Sequence, residues 1–173
     1  VGKHSTEDGM KQCKNNGVKF VNISPQKTDS PNFLKADQIF IRPNTDTALM
    51  LSLAYLLIVN NTYDKSFIKK YTFGFEEFKK YVTGDKKNKP CTPEWASTIT
   101  GISVKKINYL YEKIITKKTL ISMSWSLQRA SRGEQPLWMG ITLASMLGDI
   151  GEACGGFGFG YAAVNSTGDI FDK

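Results

Sequence analysis

The sequence is poor in the side chains that bind transition metals. Its 173 residues include a single histidine, His4, and three cysteines, Cys13, Cys91 and Cys154, with no Cys-x-x-Cys pair. Zinc and iron–sulfur centres need clusters of such ligands, so we expect no metal site built from this chain alone. An odd number of widely spaced cysteines also gives no framework of disulfides.

Long apolar runs are scarce as well. The longest, Ala48–Val59, has about 12 residues, whereas a helix that crosses a bilayer needs about 20. This run therefore predicts a buried helix, and we expect no membrane span. The chain opens without methionine on a polar stretch and closes on an apolar, glycine-rich tail. We therefore expect it to be an internal piece of a longer protein.

Positive charge is in excess, with 23 basic and 16 acidic residues and a net charge of +7. Many of the lysines lie in three segments, residues 67–71, 78–90 and 112–118, which we interpret as solvated faces of helices and loops. The positive balance suits an anionic ligand or a nucleic acid. The chain lacks a basic motif interleaved with aromatic residues, so nucleic-acid binding is the weaker hypothesis.

Strand patterns alternate with helix patterns along the chain. Strands are predicted at Val18–Ile23, at Gln38–Ile41 and at residues 119–124. Helices are predicted after the capping residues Asn44 or Thr45, Asp64, Thr92 and Ser103, and over residues 74–82 and 133–151. The helix after Ser103 is predicted to have one apolar stripe, formed by Val104, Ile107, Leu110, Tyr111 and Ile114. The last helix is predicted to have Leu137, Ile141, Ala144, Met146 and Leu147 near its buried side. This order of strands and helices favours an α/β fold with three layers, in which a mostly parallel sheet has helices on both faces. The glycine-rich stretch at 155–160 is interpreted as a loop.

Ligands of such folds bind beyond the carboxyl ends of the parallel strands. Three loops meet that condition: Ser24–Lys27, Arg42–Asp46 and Ser124–Arg129. Each offers polar groups suited to a nucleotide, although none contains a G-x-G-x-x-G fingerprint. Glu134 and Gln135 are expected to cap or brace the last of these loops.

Two residues of these loops, Asp46 and Trp125, each have two interpretations. Asp46 is either a first-turn acid stabilised by the helix dipole or a carboxylate that accepts from the N1–H and amino group of guanine together. Trp125, which follows a strand between two serines, either covers a ribose or base or belongs to the core. Trp138 has helical neighbours, so we expect its ring to lie in the core.

The same loops resemble a known family. "ISPQKTDSPNFLKADQIFIRPNTDTALML" is similar to two motifs of molybdopterin-dependent oxidoreductases, I-D/N-P-x-x-T-x-T and R-P-x-T-D. In that family an apolar helix follows the second motif, as it does in this sequence. "SWSLQRASRGEQPLWMGITLASMLGDIG" with "GGFGFGY" resembles the branch that reduces dimethyl sulfoxide, trimethylamine N-oxide and biotin sulfoxide. The resemblance runs from about residue 17 to residue 161. Ser24 departs from the pattern, because the family commonly has an acid or an amide there.

The resemblance implies an incomplete Rossmann-like domain over residues 1–173, with residues 155–173 as a loop that leads to the rest of the enzyme. Family members hold molybdenum in a bis(molybdopterin guanine dinucleotide) cofactor, and this chain would bind the guanosine end of one dinucleotide. It implies no catalytic residue and no metal ligand in this chain, and no tightly bound cofactor in the isolated piece. The implied cofactor-binding residues are Ile23, Ser24, Pro25, Asp46, Trp125, Ser126, Gln128 and Arg129.

For the intact enzyme the resemblance implies removal of an oxygen atom from an S-oxide or N-oxide. It implies three partners: the pterin guanine dinucleotide, the remainder of the same enzyme and an electron-donor cytochrome. It also implies a location in the periplasm, with the cytoplasm as the alternative. A competing hypothesis is a stand-alone module that binds guanine nucleotides without catalysis.

Overall fold

The computed structural model describes residues 6–85 and 88–159 and combines short strands with longer helices. The strands are β1 (Val21–Ile23), β2 (Asp37–Ile39), β3 (Leu120–Met123) and β4 (Gly156–Phe159). The helices are α1 (Thr6–Asn15), α2 (Asp46–Val59), α3 (Lys65–Tyr71), α4 (Phe75–Thr83), α5 (Pro93–Thr100), α6 (Val104–Thr116) and α7 (Glu134–Leu147).

The strands form two parallel pairs. Val21 of β1 lies opposite Asp37 of β2, and Leu120 of β3 lies opposite Gly156 of β4. The predicted α/β class with parallel strands is therefore confirmed. The first two strands are shorter than predicted, since β1 begins at Val21 and β2 ends at Ile39.

The glycine-rich stretch was predicted to be a loop, and for Gly156–Phe159 that prediction is wrong. These residues form β4, which pairs with β3 along its full length. Glycine alternates here with phenylalanine, which is the period of a strand. The prediction missed it because the low strand propensity of glycine hides the pattern and the pairing partner lies far away in sequence. The rest of the predicted loop, residues 160–173, lies outside the described residues.

Helix α2 is at the centre of the core, as its all-round apolar composition predicted. Leu49, Leu53 and Leu57 are buried on it, and so is Ser52, whose hydroxyl donates to the Leu49 carbonyl inside the helix. Helices α4, α5, α6 and α7 all pack against α2. A helix that is apolar on every side needs such neighbours, because each face must be removed from water.

Local signals set the starts of the surrounding helices. The side chains of Asp64, Thr92 and Ser103 each accept a hydrogen bond from a backbone N–H of the first helical turn, as predicted. In α6 the predicted apolar stripe is confirmed, with Ile107 and Leu110 buried.

Helix α7 packs closely on the β3–β4 pair, and Gly140 makes this approach possible. A Cβ at Gly140 would lie 2.4 Å from Met123 Sδ and 2.8 Å from Phe157 Cε2.

Trp138, predicted to lie in the core, is 67% exposed. It precedes Gly140 by two residues, about 200° around the helix, so its ring points away from the sheet. Ile141, predicted near the buried side, lies about 100° around the helix from Gly140 and is also exposed.

We expect Leu57→Ala to lower the free energy of unfolding by about 2–5 kcal/mol, because the side chain is completely buried at the centre of the core. Val59→Ala, at an exposed position of the same helix, should change it by about 0.5 kcal/mol or less. Urea denaturation of both variants measures this. Equal losses would contradict the central position of Leu57.

Candidate functional site

The loops after β1 and β2 leave from the same edge of their strand pair. Ile23 lies opposite Ile39, and the Ser24 N–H extends the pairing by donating to the Ile39 carbonyl at 3.1 Å. Ile23 and Pro25 are exposed at this edge. The strand order therefore brings the first and second predicted loops side by side.

Ser24 lies beneath this surface, with only 6% of its area exposed. Its hydroxyl donates to Asp29 Oδ2 and accepts from the Gln26 N–H at 3.1 Å. Its carbonyl accepts from Gln38 Nε2 at 3.4 Å. These bonds tie the Ser24 side chain into its own loop.

The second loop is a turn that Arg42 holds against the end of α5. The Arg42 guanidinium donates to the Thr98 carbonyl at 2.7 Å and the Ile99 carbonyl at 3.2 Å. The Arg42 N–H donates to the Thr100 carbonyl at 2.9 Å. Arg42 therefore satisfies carbonyls that the end of a helix leaves without intrahelical partners.

Thr45 occupies the N-cap position of α2. Its side chain makes no capping hydrogen bond, so the predicted capping by Thr45 is wrong. Its hydroxyl donates instead to the Arg42 carbonyl at 2.7 Å, across the turn. Within that turn Asn44 follows Pro43 and has a φ of +63°, a left-handed conformation that asparagine adopts more readily than most residues. The turn thus holds the first residue of α2 against α5.

Asp46 is the first residue of α2 and is half-buried. Burial raises the pKa of its carboxyl, and a hydrogen bond from its own backbone N–H opposes the rise. No other side chain or backbone group in residues 6–85 and 88–159 hydrogen-bonds to this carboxylate. The end of the second loop therefore presents a partly desolvated acceptor.

The third loop lies at the carboxyl ends of β3 and β4. Trp125 stacks on Phe159, the residue opposite Met123, with ring centroids 5.5 Å apart and planes inclined by 23°. Trp125 remains 46% exposed, so the ring pair forms an aromatic surface at this strand end. Ser126 hydrogen-bonds to the Ser124 hydroxyl at 2.9 Å, and Gln128 and Arg129 are exposed.

Gly133 keeps this loop compact. A Cβ there would lie 2.0 Å from the Gln128 carbonyl oxygen, so no other residue fits without a shift of the backbone. Glu134 and Gln135 follow as the first residues of α7, and Gln135 Nε2 contacts Glu134 Oε1 at 3.4 Å. Within the described residues these two side chains contact each other and make no hydrogen bond to the loop, so the close packing at Gly133, and not the expected cap or brace, keeps the loop compact.

The predicted site residues fall into two groups. Ile23, Ser24, Pro25 and Asp46 lie at the β1–β2 edge, whereas Trp125, Ser126, Gln128 and Arg129 lie at the β3–β4 end. No hydrogen bond joins the two groups within the described part of the chain.

Three residues at these strand ends were not predicted from the sequence. They are Asp29, which accepts from Ser24, Arg42, which holds the second loop against α5, and Phe159, which stacks on Trp125. A signal for Asp29 was present, since its carboxylate lies five residues from Ser24 in a loop rich in turn formers. Phe159 was missed because its strand was read as a loop.

A surface cleft of about 500 Å³ lies between α3 and α4 and contains none of the predicted site residues. The described residues form no group of three or more histidine, cysteine or carboxylate side chains able to hold a metal. Among the same residues, no helix has the length and apolar character needed to cross a membrane.

The family model described as "Molybdopterin oxidoreductase" matches residues 7–169. The chain is 42% identical over 161 residues to the dimethyl sulfoxide/trimethylamine N-oxide reductase of Rhodobacter capsulatus, covering 93% of this chain and 20% of that protein. It is 39% identical over 171 residues to the biotin sulfoxide reductase of Cereibacter sphaeroides, covering 99% of this chain and 23% of that protein. The chain thus spans about a fifth of the length of these relatives.

The fold resembles that of a solved structure, the acetylene hydratase from Pelobacter acetylenicus. The TM-score is 0.74 at 21% identity, and the match covers 87% of this chain and 20% of the other. At this identity the likeness concerns the fold alone. It agrees with the α/β class and the parallel strands described above.

We expect Asp46→Asn to stabilise the empty chain at about pH 7. The pKa of Asp46 in the folded chain is raised above the ordinary 3.8, so its contribution to stability is present below 3.8 and is lost as the pH rises through the folded-state pKa. The asparagine does not ionise and escapes that loss. Urea denaturation from about pH 7 down to about pH 4 should show the advantage of the variant shrinking as the pH falls.

Glu76→Gln is the matched control, because Glu76 is an exposed acid in the first turn of α4. Its ionised form favours the helix, so this variant should be no more stable than the unmodified chain at about pH 7. An Asp46→Asn advantage that grows on acidification would contradict the burial argument.

Proposed function

The chain belongs to the molybdopterin oxidoreductase family, and from that premise we propose that it binds the guanosine end of a molybdopterin guanine dinucleotide. The intact protein is proposed to reduce S-oxides or N-oxides, as the names of its relatives indicate for those proteins. The observation that carries the proposal is the half-buried Asp46 carboxylate at the edge where the first two loops meet.

Guanine presents its N1–H and its exocyclic amino group side by side, and one carboxylate accepts from both. Asp46 is suited to this task because, within the described residues, only its own backbone N–H donates to its side-chain oxygens, so they retain free acceptor positions. Adenine has an acceptor at N1, so a carboxylate here disfavours it. Burial strengthens the discrimination, since a charge-assisted bond is stronger where water is partly excluded.

The second group suits other parts of the same ligand. The exposed face of Trp125, supported from behind by Phe159, offers a stacking surface for a ribose or a base. Arg129 is exposed close by in sequence and offers a planar fork for a diphosphate. Ser126 and Gln128 supply neutral hydrogen-bonding groups on the same turn. We propose that this loop contacts the cofactor beyond the guanine.

In the intact enzyme the bound molybdenum cofactor would supply the oxygen-atom transfer. The residues of this chain would hold and orient its guanosine end, and the remainder of the enzyme would supply the metal ligand and the substrate pocket. We propose the periplasm as the compartment and a cytochrome as the electron donor, following the resemblance to the reductase branch. The alternative is a module that binds guanine nucleotides without catalysis.

We expect guanosine diphosphate, but not adenosine diphosphate, to raise the melting temperature of the 173-residue chain. Asp46→Asn should lose one charge-assisted hydrogen bond to the guanine. This loss should cost about 1.5–3 kcal/mol of binding free energy, so the affinity for guanosine diphosphate should be about 10- to 150-fold weaker. Glu76→Gln should bind as the unmodified chain does. Thermal melts and calorimetric titration of the three proteins test this, and equal protection by both nucleotides would contradict guanine recognition.

The chain alone should not turn over dimethyl sulfoxide or trimethylamine N-oxide. We expect this because the proposed metal ligand and substrate pocket belong to the remainder of the enzyme. The assay uses a reduced viologen as electron donor and follows its oxidation. Measurable turnover by the 173-residue chain would show that the chemistry does not depend on other parts of the protein.

A further inference from the structure

We propose that Asp29 binds the ribose hydroxyls of the guanosine and that Ser24 is the residue that positions it. This inference rests on the proposed function and concerns the same site. It gives Ser24, one of the implied cofactor-binding residues, a supporting role and assigns the contact to a carboxylate outside that set.

Ser24 is poorly placed to contact a ligand itself. It is almost fully buried, and its hydroxyl already donates its proton to Asp29. One acceptor position of the same oxygen receives the Gln26 N–H. A ligand hydroxyl would have to displace these hydrogen bonds. We therefore interpret them as the support that holds the Asp29 carboxylate in place.

Asp29 has the opposite properties. It is exposed, and Ser24 fixes only one of its two carboxylate oxygens. In the part of the chain that the structure describes, the other oxygen has no hydrogen-bond partner and the carboxylate forms no ion pair. A carboxylate held by a single protein bond, with its second oxygen open to solvent, is ready to accept from a hydroxyl.

The position of Asp29 matches the needs of a guanosine. Asp29 lies in the segment after β1, and Asp46 begins the helix that follows the loop after β2. Both segments leave the same edge of the strand pair. A guanosine has two sets of donors, the base edge and the two ribose hydroxyls. Carboxylates near the ends of parallel strands commonly bind ribose hydroxyls. Asp46 would take the base, and Asp29 the ribose.

The experiment compares two nucleotides that differ only in the ribose hydroxyls. The 173-residue chain is titrated calorimetrically with guanosine diphosphate and with its 2′,3′-dideoxy analogue. We expect the unmodified chain to prefer the natural nucleotide by about tenfold or more, since hydrogen bonds to a charged group are among the strongest. Asp29→Ala should bring the ratio of the two affinities close to one.

Two further variants separate positioning from binding and from general effects. Ser24→Ala removes the hydrogen bond that holds the Asp29 carboxylate. For this variant the ratio of the two nucleotide affinities should lie between the ratio of the unmodified chain and that of Asp29→Ala. Glu112→Ala removes an exposed acid on α6 and should keep the full preference. A variant that is only less stable loses affinity for both nucleotides equally, so the ratio does not depend on the folded fraction.

The outcomes distinguish the two proposals. If the unmodified chain binds neither nucleotide, the proposed function fails and this inference fails with it. If it binds guanosine diphosphate tightly but Asp29→Ala keeps the preference for the ribose hydroxyls, only the role of Asp29 is overturned. If Ser24→Ala keeps the full preference while Asp29→Ala loses it, Ser24 is not the positioning residue.

Discussion

The burial of α2 is the constraint on which the other elements depend. The helix is apolar on every side, so four other helices must cover it. Its first residue is Asp46, and this carboxylate is therefore carried by the most deeply buried helix of the fold. A carboxylate at this position has a rigid support and, at the same time, is partly removed from water.

The features that could be predicted from sequence are those that depend on neighbouring residues. The caps Asp64, Thr92 and Ser103 and the buried stripe of α6 are short-range patterns, and the structure has them as expected. The exposure of Trp138 could not be predicted in this way. It depends on Gly140 meeting Met123 and Phe157, which are distant in sequence, and helical neighbours alone do not tell which face meets the sheet.

The candidate site shows the same division. Asp46 could be placed at a helix start after a strand because the motif is continuous in sequence. The burial of Ser24 and its bond to Asp29 could not, because they depend on how the intervening loop closes. The stacking of Trp125 on Phe159 requires the pairing of β3 with β4. That long-range pairing was hidden by the glycines of the second strand.

Arg42 has a consequence for how this region would respond to random mutagenesis. Its guanidinium is engaged with carbonyls at the end of α5, and its own carbonyl holds Thr45 next to Asp46. A substitution at Arg42 keeps the backbone carbonyl but removes both guanidinium bonds, so it would release the turn that carries Thr45 from the end of α5. A genetic screen for loss of the proposed cofactor binding would therefore recover Arg42 as readily as the proposed contact residues. Sensitivity to mutation alone would not distinguish a residue that supports the site from one that contacts the ligand.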